Sequence, residues 1–237
     1  MYALRLFYMP EKTVVLPLAH ADVLQGIFYS LLSSEVTLSS EIHDKPTAEN
    51  GKQYKFFCFS DFQGKYSVRG GRIFFSDAFT WELRSADERI LDAVRSGAEN
   101  ISVKGTVCRL TGMEHLERSA LSDSAEITMM TPLCVYTTQA NGKRRFYSPE
   151  EKEFYSSTVK NLISKYEEFY GKKPEGAVSF EPVSVLPKDK CVTKYKGWYV
   201  TGYRGKYRLS APPEVIDFAY RTGLGVKNSA GFGVFKF

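Results

Sequence analysis

The order in which strand-like and helix-like patterns succeed one another, met twice along the chain, is what most constrains its fold. Alternating apolar residues predict a strand over Tyr2 to Met9, a helical period predicts a helix over His20 to Ser33, and a short helix or turn runs to Glu41. Strands around Lys55 to Ser60 and Arg72 to Thr80 follow, then a helix from Ala86 to Ser96 with Asp87 and Glu88 in its first turn, then a strand from Ile101 to Leu110. The second half gives a strand over Ile127 to Thr137, an Asn141-Gly142 turn leading into Lys143-Arg144-Arg145, and a long helix from Pro149 to Tyr170. Strands over Val178 to Leu186 and Lys190 to Ser210, a helix from Pro213 to Thr222 and a terminal strand over Phe232 to Phe237 complete it. Each half reads β-α-β-β-α-β. The expected class is α+β, with two tandem ferredoxin-like (RRM-like) domains, each a four-stranded antiparallel sheet backed by two helices. The boundary is expected among the small polar residues near Ser119 to Ala125, giving domains 1–122 and 123–237.

Length and composition allow this. At 237 residues, 43% hydrophobic and 25% charged, the chain has the profile of a soluble globular protein with room for two cores. The N-terminus goes straight into an alternating pattern, with no apolar run long enough for a signal peptide or a membrane span, so the expectation is a cytoplasmic protein without a membrane partner. Cys58, Cys108, Cys134 and Cys191 are far apart and form no Cys-x-x-Cys pair; reduced, mostly buried thiols are expected, and no metal site or cofactor.

Charge is unevenly placed. From Pro187 onward there are ten Lys/Arg against three acids, a net +7 in a chain whose total is +5, so the remainder carries −2. Such a concentration suits a polyanion. Lys194, Lys196, Arg204, Lys206 and Arg208 interleave with Tyr195, Trp198, Tyr199, Tyr203 and Tyr207, a mixture of cations and stacking surfaces that suits RNA. The same aromatics also suit strands for packing reasons alone.

Near the C-terminus, Gly223-Leu224-Gly225-Val226-Lys227-Asn228-Ser229-Ala230-Gly231-Phe232-Gly233 packs four glycines and one lysine into eleven residues. Glycines admit left-handed backbone and close approach, so the segment is either a tight connection between packed elements or a row of amide donors for a phosphate, with Lys227 adding charge. Dinucleotide fingerprints need the glycines after a strand and before a helix. Here a helix with Pro213 at its start and Gly223 at its end precedes them and a strand follows, which argues against a nucleotide-cofactor site. The long helix needs no functional account: Ser148-Pro149-Glu150-Glu151 suits its start, and Phe154, Val159, Leu162, Ile163 and Tyr166 supply an apolar face.

Three histidines, His20, His43 and His115, are the natural candidates for proton transfer near neutral pH. None has metal-ligand spacing, and His20 and His115 are read as structural. His43 stands apart because Lys52, Tyr54 and Lys55 follow it, and cations beside a general acid or base are what phosphodiester cleavage requires.

Four segments together carry a more specific signal: Leu24-Gln25-Gly26-Ile27-Phe28-Tyr29, Ile42-His43-Asp44, Lys55-Phe56-Phe57-Cys58-Phe59-Ser60 and the glycine-rich segment. In order and spacing the chain resembles the CRISPR repeat-processing endoribonucleases of the RAMP superfamily. The resemblance implies tandem ferredoxin-like domains and a metal-independent cut in the repeat of a precursor transcript, by attack of a 2′-hydroxyl on the adjacent phosphate. It implies Tyr29 and His43 as the acid–base pair, with His43 favoured as the base, and Lys55 or Lys52 as the cation at the transition state. It also implies that Gly223, Gly225, Lys227, Asn228, Ser229, Gly231 and Gly233, with Lys194, Lys196, Arg204, Lys206 and Arg208, hold the RNA. The partners implied are the CRISPR repeat RNA and the guide RNA cut from it, with a CRISPR interference complex as a further candidate. A non-catalytic RNA-binding subunit of a CRISPR effector complex, and a small-molecule or protein-binding module of the same fold, are the alternatives.

Overall fold

The structure is a computed structural model that describes residues 3–33, 38, 41, 53–116 and 122–237. It is a mixed α+β fold in which all strand pairings among the described residues are antiparallel.

The first sheet is built on β1 (Ala3–Pro10), whose alternation buries Leu4, Leu6 and Tyr8 completely. β1 pairs on one side with β7 (Phe79–Ser85) and on the other with β9 (Thr106–His115). β3 (Phe57–Phe59) and β4 (Gln63–Gly64) both pair with β7, and β8 (Asn100–Val103) closes the far edge on β9, so the path is β3-β7-β1-β9-β8. Helices α1 (Ala21–Leu31) and α2 (Glu88–Gly97) pack against each other and this sheet. The apolar stripe of α1, Leu24, Ile27, Phe28 and Leu31, has helical spacing, and Phe28 stacks on Phe57 with ring centroids 4.3 Å apart. Outside the sheet, β2 (Val14–Pro17), β5 (Ser67–Arg69) and β6 (Arg72–Phe75) form a three-stranded sheet of their own, β2-β6-β5.

The second sheet runs β13-β16-β10-β17, with β10 (Ser124–Met129), β13 (Ser179–Ser184), β16 (Lys206–Ser210) and the short β17 (Phe235–Lys236). Helices α3 (Lys152–Tyr170) and α4 (Pro213–Thr222) share its core. Two hairpins stand off it: β11 (Tyr136–Thr138) with β12 (Arg144–Phe146), and β14 (Lys190–Tyr195) with β15 (Trp198–Tyr203).

The halves are joined by buried polar groups. Arg84 on β7 is 1% exposed; its Nε donates to Glu82 Oε1 at 2.6 Å, one terminal nitrogen donates to Phe235 O at 2.8 Å, and the guanidinium lies 3.7 Å from the Tyr220 ring centroid. A buried guanidinium is tolerable only when so paired. Tyr54 and Phe56, which precede β3, pack into the core of the second sheet, while Phe57 and Phe59 pack into the first. This short segment therefore serves both cores.

Several expected elements change at their ends. The run from Arg72 to Thr80 is two strands in different sheets, interrupted at Ser76 to Ala78. The strand expected over Ile101 to Leu110 is a hairpin that turns at Lys104-Gly105, both at positive φ. Lys190 to Ser210 is three strands, turning at Lys196-Gly197 and again at Arg204-Gly205. Helix α3 starts at Lys152 with Glu151 as its N-cap, since the Glu151 carboxylate accepts the Ser148 N–H at 2.8 Å and holds Ser148 to Glu151 as a separate turn. The start of the first strand at Tyr2, most of the short helix or turn toward Glu41, and Ser119 to Leu121 of the boundary segment lie outside the described residues. Cys58, Cys108 and Cys134 are buried free thiols and Cys191 is half-buried. No described helix is long and apolar enough to cross a membrane.

Candidate functional site

Helix α1 and the segment entering β3 bring two of the expected residues together. Phe28 faces the core, which turns its neighbour Tyr29 to the edge of the Phe57 ring, half-buried. Lys55 stands between Tyr54 and Phe56, which are buried in the second core, and its Nζ donates to Tyr29 Oη at 2.7 Å. Burial raises the Tyr29 pKa above the usual phenol value, against the opposing pull of the Lys196 charge, so the phenol keeps its proton at neutral pH. His43 and Lys52 lie outside the described residues.

The glycine-rich segment turns on itself around one side chain. Asn228 is buried, and its Nδ2 donates to Leu224 O at 2.8 Å and Phe232 O at 3.0 Å. Gly223 and Gly233 flank it so closely that a Cβ on either would stand 2.7 Å or 2.8 Å from Asn228 Nδ2. A Cβ on Gly231 would meet the Phe59 ring at 2.9 Å, and one on Gly225 would meet Cys134 O at 2.5 Å. All four glycines have positive φ. These glycines thus serve close packing within the chain. The backbone N–H groups of Leu224, Val226 and Gly233 are likewise taken, by Gly233 O, Cys134 O and Pro132 O.

Lys227, with Asn228 and Ser229 of the short 3-10 turn Asn228–Ala230, faces a cleft of about 670 Å³ whose described walls come from the segment entering β3, the β11–β12 hairpin and its approach, α3 and the glycine-rich segment. Lys55, Lys160, Lys165 and Lys227 line it together with Tyr54, Tyr136 and Tyr147, and no Asp or Glu is among its described lining. Lys227, itself in the left-handed region at φ 64°, places Nζ 4.9 Å from the Tyr195 ring centroid and 6.0 Å from that of Tyr136. Burial, then the charges of Arg144 and Lys196, lower its pKa; an incoming anion would offset that penalty.

Two residues that the sequence reading passed over complete this wall. Lys165 on α3 is 2% exposed, and burial pulls its ammonium down to about 7. Asn161, one turn earlier, brings a buried amide whose Oδ1 has no hydrogen-bond partner among the described residues. Both lie on the same stripe as Phe154, Leu162 and Tyr166, a placement that helical periodicity makes visible.

The remaining expected residues divide into two groups. Lys194 and Lys196 sit near the tip of the β14–β15 hairpin with Trp198 and Tyr199, which are more than two-thirds exposed. That hairpin leans on α1, where Tyr195 Oη donates to Gln25 Oε1 at 2.7 Å, and Gln25 Nε2 donates to Ser229 O at 2.8 Å. Arg204, Lys206 and Arg208 are engaged elsewhere. Arg204 pairs with Asp61 at 3.1 Å, and Asp61 also receives His20 Nε2 at 3.2 Å. Lys206 lies 3.7 Å from Glu126, and Arg208 stands in register between Glu126 and Glu181.

A cleft whose described lining carries four lysines and no carboxylate suits a polyanion. The family profile described as CRISPR associated protein Cas6, C-terminal, matches residues 116–237. The chain belongs to the Cas6 family of CRISPR-associated proteins. It is 25% identical over 238 residues to the CRISPR-associated endoribonuclease Cas6 of Pyrococcus furiosus, a match covering 95% of this chain and 85% of that protein. Among solved structures, that of a Cas6-related gene product from Pyrococcus furiosus superposes with a TM-score of 0.85 at 17% identity, covering 99% of this chain and 97% of the other. A RAMP protein described as binding different RNA substrates gives 0.84 at 18% identity, covering 100% and 99%. At such identities the structural likeness speaks to the fold.

Proposed function

We propose that this chain is an endoribonuclease that cuts CRISPR precursor RNA within its repeat to release guide RNAs, without a metal ion. The observation that carries this reading is the 2.7 Å hydrogen bond from Lys55 Nζ to Tyr29 Oη, set beside the cleft that Lys55 shares with Lys227 and the glycine-rich segment.

In the proposed reaction the 2′-oxygen bonds to the adjacent phosphorus and the bond from phosphorus to the 5′-oxygen breaks, leaving a 2′,3′-cyclic phosphate and a 5′-hydroxyl. His43 takes the 2′-hydroxyl proton and Tyr29 gives its proton to the departing 5′-oxygen. Lys55 supports this division: its ammonium occupies a lone pair of Tyr29 Oη, which leaves the phenolic proton free to be donated and stabilises the phenolate that results. The same charge, with Lys52 as the alternative, faces the negative charge that grows on the phosphate oxygens. Lys227, Lys194 and Lys196 hold the flanking RNA by its phosphates, and the exposed rings of Trp198 and Tyr199 offer stacking surfaces for unpaired bases.

The architecture supports the same reading. Counting each half as β-α-β-β-α-β, both sheets run second-third-first-fourth, as β3-β7-β1-β9 and as β13-β16-β10-β17. That order supports reading the chain as tandem ferredoxin-like domains, 1–122 and 123–237, in which Tyr54 and Phe56 of the first would pack into the second core.

The test is incubation of the purified protein with the repeat RNA of its neighbouring array in EDTA. One site-specific cut is expected, lost when the 2′-hydroxyl upstream of the scissile phosphate is replaced by hydrogen. Binding without cutting would instead favour a non-catalytic RNA-binding subunit. Lys227→Ala is expected to weaken binding evenly across sequences and to flatten the slope of log affinity against log salt by about 0.7, the value for one phosphate contact on a single strand.

A further inference from the structure

Lys165 is in an unusual position for a lysine. Its Nζ donates to the carbonyl oxygens of Thr222 at 3.2 Å and Gly223 at 2.6 Å and to Asn228 Oδ1 at 3.0 Å. An ammonium has three protons, so all three are used, and every acceptor is a neutral oxygen. Burying a charge against neutral partners gives up stability that an unbranched apolar side chain would keep, so the reason for a lysine is to be sought in what it holds. Two of its acceptors are carbonyls at the C-terminal end of α4, where the helix dipole favours a cation.

The third acceptor, Asn228, is the residue around which the glycine-rich segment closes. Asn228 opens the 3-10 turn, and the next carbonyl in that turn, Ser229 O, accepts from Gln25 Nε2 at 2.8 Å. Gln25 lies on α1 one helical turn before Tyr29, and its own Oε1 accepts from Tyr195 of the hairpin. A single hydrogen-bonded chain thus runs from α3, through the glycine-rich segment, to the helix that carries Tyr29.

We propose that Lys165 is a positioning residue: through Asn228 and Ser229 it fixes the glycine-rich segment, with Lys227, in register with the Tyr29–Lys55 pair. This role rests on the endoribonuclease reading above. A residue that only stabilised the fold would change the melting temperature and leave the cut unaltered in RNA-saturated protein. A positioning residue changes the rate even when every RNA is bound.

The experiment measures two quantities on the full chain: affinity for a repeat RNA made uncleavable by a 2′-deoxy substitution, and the single-turnover cutting rate at saturating protein. Lys165→Met is expected to remain folded and to slow the saturated rate about 10- to 100-fold, the scale of an ångström misplacement. Gln25→Leu breaks the same chain from the α1 side without touching Lys165 and is expected to slow the saturated rate in the same direction, so it carries the test if Lys165→Met does not fold. Wild-type saturated rates in a folded Lys165→Met, or in Gln25→Leu where Lys165→Met does not fold, would overturn the positioning role. A wild-type protein that binds the repeat and never cuts it would overturn the endoribonuclease reading itself, and that result is visible before any variant is made.

Discussion

His43→Ala is expected to bind uncleavable repeat RNA about as tightly as the wild type and to cut the normal repeat about 10²- to 10⁴-fold more slowly, the range for loss of a positioned acid or base. Binding is expected to survive because Lys160 on α3 and Lys227 on the glycine-rich segment are among the described residues that line the cleft. Tyr29→Phe is expected to slow the same step while leaving Lys55 in place. The two roles can be told apart with a substrate whose 5′-bridging oxygen is replaced by sulfur. A thiolate leaves without being protonated, so loss of the general acid is forgiven and loss of the general base is not. The Tyr29→Phe rate should therefore recover on the sulfur substrate and the His43→Ala rate should not. The reverse pattern would exchange the two assignments, and undiminished cutting by His43→Ala would place the chemistry on other residues.

The succession of elements and the ends of α4 were the most legible parts of the chain. Pro213 and Gly223 bracket α4 as their backbone preferences require, because proline suits a first helical position and glycine the positive φ beyond the last. The change of sheet at Ser76 to Ala78 and the hairpin turn at Lys196-Gly197 were harder to read, since aromatic and β-branched composition continues on both sides of each break. Tyr29 and Lys55 were singled out through the segments that carry them, and their contact is made by tertiary packing of Phe28 on Phe57, which no local pattern encodes. Lys165 was missed for another reason. A lysine on a helix is ordinarily solvated, and only its place one residue before buried Tyr166 and three after buried Leu162 marked it as inward-facing. Arg204 shows the converse. Its charge adds to a basic face by composition, and its ion pair with Asp61, across 143 positions, is not visible to any sequence window.

Gly233→Ala is expected to be the most damaging single methyl group that this chain can receive in its glycine-rich segment. Gly233 has φ 78°, and a Cβ there would stand 1.9 Å from Leu224 O and 2.8 Å from Asn228 Nδ2. Neither neighbour is free to withdraw. Leu224 N donates to Gly233 O at 2.9 Å, Gly233 N donates to Pro132 O at 3.0 Å, and Asn228 is held by Lys165, so relief at one point breaks a buried hydrogen bond at another. Positive φ for a residue with a side chain and the loss of such bonds together imply a destabilisation of about 3 kcal/mol or more. For a chain of this size that is a fall in melting temperature of roughly 6 to 12 °C. Gly26→Ala is the informative contrast, because Gly26 lies within α1 with nothing within 4 Å of its would-be Cβ, and alanine there should be neutral or stabilising by up to about 1 kcal/mol. Thermal melts of the two variants, with affinity for uncleavable repeat RNA measured below both transitions, separate the possible uses of the glycines. If Gly233→Ala melts early and binds weakly, the segment needs glycine to close around Asn228, and its hold on RNA follows from that closure. If Gly233→Ala melts with the wild type and loses only affinity, the glycines exist to let the RNA backbone approach, and the internal fit around Asn228 is secondary.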